Sequence, residues 1–443
     1  MISKYLMLVH GLLLISLWLS GAVRAADSML LIRNVTLIDG TGAQPIEHAS
    51  VLIVGERIRE VSPSEIKAPR GAAVIDGKGK YLMPGLINSH IHLAGGRAGP
   101  GNQQMVMNIE LGTRVLHGAL YAGVTSLYDS GNHDDYIFKM RDEERANRIL
   151  GPRLFTTGRL LTPAKGYQCC SGALQVLDYE GTVSKLDALL ARKPDMVKFT
   201  REGRGMGDEA GNLALIPLDV MSGLINHVHE AGIRTAVHIS DERGARESIA
   251  AGIDALAHTV YLEDASPEFA KLIAAKRIPV STTMGRADSD LSVFDRQIFV
   301  GTDSKEDLDS NRATYRSDTP NGTFRASRMP IVKKNIRALY DAGAILAVGT
   351  DRSMGAYVHR EMELLSEAGI PNLAVTRIAT LNAAIYIGVD KELGSIERGK
   401  LADLLLLAAD PVSDIRNTVR IEAVYKGGKI IDLTALLVPA NNK

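Results

Sequence analysis

The chain has 443 residues, enough for one large domain and a smaller one, because single hydrophobic cores seldom grow past roughly 250–300 residues. Its 51 basic residues balance 51 acidic ones with no long block of either sign, and 45% of the chain is apolar. That excludes the electrostatic footprint of a nucleic-acid binder and describes an ordinary globular protein.

In chain order, Lys4 precedes the apolar run "YLMLVHGLLLISLWLS" and then "GAVRAADS", with small residues at Val23 and Ala25. This is the layout of a secretory signal peptide over residues 1–25, cut after Ala25. An uncleaved anchor is the alternative, but the run is short for a spanning helix. Either reading puts the body outside the cytosol, secreted or periplasmic, and cleavage leaves no stable membrane anchor.

Residues 26–83 hold short β-type runs, "MLLIRNVTLI", "ASVLIVGERIREV" and "AAVIDGKGKYLM", punctuated by Gly, Asp and Pro. Matching runs recur in 386–443, "ADLLLLAAD" and "IEAVYKGGKIID". A small β-sandwich built from both termini is expected, with the region 84–385 inserted between its halves. There, eight short apolar runs alternate with amphipathic stretches: "GLINSHIHL", "GVTSLYD", "RLFTTG", "DMVKFT", "RTAVHIS", "ALAHTV", "IPVSTTM" and "ILAVGTD". Repeated βα units of this number predict a TIM-like (β/α)8 barrel. Residues 160–181 and 285–329 are too long for plain βα loops; both follow a strand and so lie at the C-terminal mouth, either covering a substrate or forming surface insertions. The first carries the only cysteines, Cys169 and Cys170, whose adjacency strains a disulfide but leaves a vicinal bond and two thiols both open.

In the first run, His90 and His92 point to one face if the segment is a strand, because strand side chains repeat every two residues. They could then grip one cation. His227 and His229 have the same spacing inside a helical pattern, where two residues span about 200°, so they cannot chelate one ion together. Further polar side chains end other runs: Lys198, His238, His258 and Asp351. Each alone is most often a satisfied structural group, but together at one barrel mouth they describe a site.

These residues carry a resemblance. "MPGLINSHIHL", "DMVKF", "VHIS", "ALAHTVYLED", "GTD", "HREMELL", "ATLNAA" and "LGSIERGKLADLLLL" make the chain similar to the metal-dependent amidohydrolase superfamily over nearly its whole mature length, in the branch of imidazolonepropionase-like and Xaa-Pro dipeptidase-like (prolidase-type) enzymes. The resemblance implies two zinc ions: His90, His92 and Asp351 would hold the more buried one, and His238 and His258 the second. Lys198 would bridge them as an N6-carboxylated side chain, since a free ammonium cannot be a ligand; an unmodified Lys198 in an ion pair is the alternative. A metal-bridging hydroxide would then attack an amide carbonyl, with Asp351 as the catalytic group that takes the proton and passes it to the leaving nitrogen.

The implied substrate is a small-molecule amide, a dipeptide such as Xaa-Pro or an N-acyl amino acid. Its carboxylate could be met by Arg97, Arg201 or Arg204, with Tyr261 nearby, although such residues are more often solvated surface groups. "FTREGRG" after Lys198 is more charged than the small-residue run expected in this branch. His359 fits the family pattern and is expected to pack a helix. A cyclic-amide hydrolase or lactonase on the same scaffold is the second reading; Lys198 argues against a one-zinc deaminase, and the complete ligand set against a metal-free binding protein. Homo-oligomerisation stays open.

Overall fold

The computed structural model describes residues 28–99, 103–169, 172–205, 211–316 and 318–437. The expected leader and Cys170 lie outside them. Each of the eight quoted runs contains a short strand, and all neighbouring pairs run parallel. Leu86–Ile91 pairs with Val124–Asp129, which pairs with Arg153–Thr156. Met196–Thr200, Arg234–His238, Ala255–Leu256, Val280–Ser281 and Leu346–Ala347 pair in succession. These two parallel sheets meet at two seams. Asp195 N–H donates to Thr156 O at 2.8 Å, and Ser89 N–H donates to Val348 O at 2.8 Å. The result is a TIM-barrel-like fold.

The helices between the strands follow from local chemistry. In Pro267–Lys276, the Ser266 hydroxyl accepts from Phe269 N–H at 3.1 Å, Pro267 occupies the first turn, and Arg277 closes the end in a left-handed conformation at φ 53°. Phe269, Ala270 and Ile273, spaced by one, three and four residues, are the buried stripe. Among the described residues no helix is long and apolar enough to cross a membrane.

The second unit is one hydrogen-bonded sheet of eight strands drawn from both ends of the chain. Its centre pairs Met29–Leu37 with Ile46–Val54 and with Tyr81–Pro84, and Tyr81–Pro84 runs antiparallel to Leu404–Leu407. "LLLL" shows how the two units share a wall. Leu404 and Leu406 pack in the sheet's own core with Val51 and Ile53, whereas Leu405 and Leu407 belong to the barrel's core. Period-two alternation buried on both faces gives an unbroken apolar run. A polar clamp crosses the same boundary: Asp403 accepts from Arg153 Nε and Nη2 at 2.8 and 3.1 Å and from Gly427 N–H at 2.7 Å. The boundary expected at residue 386 falls inside a helix, Leu381–Ile387, that packs on the barrel, so the sheet's C-terminal share begins later, at Leu404.

The described parts of both long insertions are folded. Residues 160–181 contribute two short strands, Leu161–Pro163 and Leu174–Val176. Residues 285–329 are mostly helical, and Val293, Phe294, Phe299 and Leu308 form a small apolar cluster with Met354, Ala356 and Tyr357. The helix Pro320–Asp341 begins within the second insertion, where the Thr319 hydroxyl caps it by accepting from Gly322 N–H at 3.0 Å, and it holds Pro330 in its interior.

Candidate metal centre

Strand ends bring the expected groups to one mouth. His90 lies in the first strand and His92 just past it, Lys198 lies in the fourth, His238 ends the fifth, His258 follows the sixth by two residues, and Asp351 follows the eighth. Asn88 fastens the first strand to the eighth: its Oδ1 accepts from His90 N–H and Thr350 N–H, both at 3.2 Å, and its Nδ2 donates to Thr350 Oγ1 at 2.9 Å. Asp351 N–H then donates to His90 O at 2.8 Å. The Asp351 backbone sits at φ 49°, a left-handed conformation that Asp tolerates better than most residues.

The imidazoles are oriented from behind. His90 Nδ1–H donates to Ala257 O at 2.9 Å and His92 Nδ1–H to Gly131 O at 2.6 Å, while His258 Nδ1 meets Thr283 Oγ1 at 2.9 Å. Fixing Nδ1 in this way leaves Nε2 as the lone-pair nitrogen facing the mouth, the arrangement of metal-binding histidines. Gly131 is itself set by Asp129, whose buried carboxylate accepts from Leu93 N–H at 2.7 Å, Gly131 N–H at 3.1 Å and Asn132 Nδ2 at 3.0 Å.

Ligand atoms of His90, His258 and Asp351 all lie within 4.8 Å of one another. Asp351 Oδ1 is 3.4 Å from His92 Nε2 and 3.7 Å from His90 Nε2. Two ligand atoms each about 2.0–2.1 Å from a tetrahedral cation stand about 3.4 Å apart, so this spacing fits one divalent ion. The His258 ring stands 4.6 Å from both the His90 and the His238 ring, which places it between the two halves of the cluster. His238 Nε2 is buried without a hydrogen-bond partner. An orphaned imidazole nitrogen, with neighbours held as acceptors, is what a cation site leaves when considered without its ion. Lys198 is 1% exposed, its Nζ is 3.4 Å from His90 Nε2, and among the described residues it forms no ion pair.

The electrostatics agree with neutral imidazoles around an anionic acid. Burial, reinforced by the Lys198 charge, pushes His90 well below the usual histidine range; burial and the neighbouring His238 do the same to His258. Burial lowers His238 to about 4 and Lys198 to about 8. For Asp351, burial pulls the pKa up but is outweighed by Arg286, and the carboxyl ends well below its ordinary value. Arg286 pairs with Asp351 Oδ2.

Among the expected substrate contacts, Tyr261 is 3% exposed beside His258, its ring 6.4 Å from Phe324 of the second insertion. Arg201 is committed elsewhere: its guanidinium binds Glu247 Oε2 at 2.7–2.8 Å and Ile216 O. That corrects its assignment as a carboxylate receptor, since a buried Arg already neutralised by Glu247 has no charge to spare. Arg204 is 3.6 Å from Glu263 and largely exposed. Arg97 lies in the strand Gly96–Gly99, whose side chains are outside the described residues.

Sequence reading missed Tyr167, which stacks on the His238 ring at 4.0 Å from the first insertion, as well as Arg286 and Glu202. The second insertion also borders a cavity of about 550 Å³ that reaches Asp351, through Thr302, Asp303, Asp307 and Asn311. His227 and His229 stay out of the site, pairing with Asp187 at 2.6 Å and Asp254 at 2.8 Å.

His359 is buried away from the mouth, bonded to Thr418 Oγ1 at 2.8 Å and Ala122 O at 2.9 Å, which is a packing role. Burial lowers it to about 4 against an ordinary 6.5. The unfolded chain therefore takes up the His359 proton first, and the stability of its neutral form is lost as pH falls from 6.5 toward 4. Glu361, raised by burial to about 7, acts in the opposite sense, so a difference against a variant is needed. The stability gap between wild type and His359→Gln, from urea midpoints of metal-free protein, should shrink by about 2 kcal/mol between pH 7 and pH 5. A constant or widening gap would contradict a neutral buried His359.

Known proteins agree with this architecture. The model of the amidohydrolase family matches residues 81–431, and the chain belongs to that family. It is 25% identical to imidazolonepropionase of Geobacillus thermodenitrificans over 422 residues, 88% of this chain and 91% of that one. Identity reaches 33% with the Shouchella clausii imidazolonepropionase over 105 residues, so that match spans only 24% of that relative and 22% of this chain. In three dimensions it is similar to a Xaa-Pro dipeptidase with methionine bound in its active site: TM-score 0.75 at 21% identity, covering 91% of this chain and all (100%) of that one. The family model thus places the chain among the amidohydrolases, and the similarity in three dimensions agrees on the fold.

Proposed function

We propose that this protein is a two-zinc hydrolase that cleaves a carbon–nitrogen amide bond in a dipeptide, Xaa-Pro or similar, or in an N-acyl amino acid, on a closed (β/α)8 barrel. The observation that carries this reading is the convergence of His90, His92, Lys198, His238, His258 and Asp351 on one mouth, with imidazole Nε2 atoms turned inward. His90, His92 and Asp351 would hold one cation, and His238 and His258 the other. Lys198, buried and without an ion-pair partner among the described residues, supports a carbamate bridge: carboxylation replaces a buried ammonium with an anionic oxygen donor.

When bound, such cations supply a hydroxide nucleophile at neutral pH and Lewis-acid polarisation of the scissile carbonyl. The chain's own groups do the rest. Asp351, kept anionic by Arg286, accepts the proton of the attacking hydroxide and returns it to the leaving nitrogen, which amide cleavage requires because an amine anion is a poor leaving group. Tyr167, stacked on His238, and the second insertion, which borders the cavity at Asp351, line the mouth that would receive the substrate. The N-terminal run of residues 1–25 supports export to a secreted or periplasmic location.

The test is a screen of dipeptides and N-acyl amino acids with zinc supplied, run beside cyclic amides and lactones. Turnover of open-chain amides is expected. Turnover confined to the ring compounds would replace this reading with the second one, a cyclic-amide hydrolase or lactonase. The similarity to imidazolonepropionase over most of the chain favours that alternative, since an imidazolone is a cyclic amide.

A further inference from the structure

Glu202 lies four residues past Lys198, just beyond the fourth strand, and is 1% exposed. Its two carboxylate oxygens are treated differently. Oε1 accepts from Arg204 N–H at 2.8 Å and Gly205 N–H at 2.9 Å, so the side chain is anchored to its own loop. Oε2 is buried and faces the buried His238 Nε2 at 3.5 Å, a long contact in which neither atom meets the geometry of a hydrogen bond. A carboxylate and an imidazole meeting only through so long a contact in a dry site recover little of their desolvation cost, and a ligand between them would recover more. A shared divalent cation does so: imidazole nitrogen and carboxylate oxygen, each about 2.0–2.2 Å from a tetrahedral zinc, stand about 3.4 Å apart. His238 and His258 alone would also give the second site no carboxylate of its own.

We propose that Glu202 is a direct ligand of the second divalent cation, beside His238, through Oε2, while the two loop amides hold its Oε1. The inference rests on the two-cation reading. It also gives the charged "FTREGRG" segment a purpose: its Glu adds one negative charge to the second site, which would bind its cation more tightly and hold it more rigidly than two imidazoles and a bridge.

The test is zinc binding to chelator-stripped full-length protein, titrated against a competing chelator. Wild type should take up two equivalents. Glu202→Gln keeps an oxygen for the Arg204 and Gly205 amides but offers an N–H where the ligand oxygen was. Its first equivalent should bind as in wild type, and its second at least about 100-fold more weakly. With cobalt(II) instead of zinc, the visible absorption of the second equivalent should change while that of the first does not. Glu202→Asp, a carboxylate drawn back by one methylene, should bind the second equivalent with intermediate affinity, and it serves if the Gln variant fails to fold. Two equivalents of unchanged affinity in either variant overturn the role of Glu202 and leave the two-cation reading standing. A wild type that binds only one equivalent overturns both.

Discussion

Asp351→Asn should lower kcat/KM at saturating zinc by at least about 10³-fold, because one substitution removes both a ligand and the base that relays the proton. Asn suits the φ of 49° at this position, so the backbone should hold. A second, independent effect is expected in the metal-free protein. Arg286 is paired with Asp351 in a buried setting, and leaving its guanidinium without a counter-charge should cost about 3 kcal/mol of stability in urea. Activity within tenfold of wild type would remove Asp351 from the mechanism, and an unchanged urea midpoint would remove the Arg286 pair from the energetics of the metal-free state.

Lys198→Ala should lose both metal and activity, and a short-chain carboxylic acid should restore part of each. The buried position at Lys198 adjoins His90 Nε2 at 3.4 Å, so truncation opens a gap that an added carboxylate can fill as a substitute bridge. If Lys198 were only half of an ion pair, truncation would affect stability without a specific effect on metal, and the acid would do nothing. Unchanged two-metal content in this variant sinks the bridging assignment.

The strands and most of the site could be read in the sequence because their signals are local. Short apolar runs ending in a polar residue mark strands that terminate at a barrel mouth, and each of the eight quoted runs holds one. The contrast between His90/His92 on a strand and His227/His229 on a helix rests on period alone, and the two pairs separate as that difference requires. What local pattern could not supply was the surroundings of the ligands. Arg286 reads as a solvated residue after an apolar strand, and only the fold sets it against Asp351. Arg201 looked available for substrate, yet Glu247, 46 residues away in sequence, neutralises it. Glu202 did leave a trace, an acidic residue in a segment where small residues were expected. The polar insertions gave no periodic signal, since their short strands and helices are stabilised by contacts with the barrel rather than by intrinsic pattern.

The most direct test of the account is a zinc titration of chelator-stripped protein followed by turnover of the best amide from the screen. Turnover should be absent without metal and rise to a plateau at two equivalents per chain. A stripped protein as active as the loaded one, or a plateau reached without zinc uptake, would contradict it.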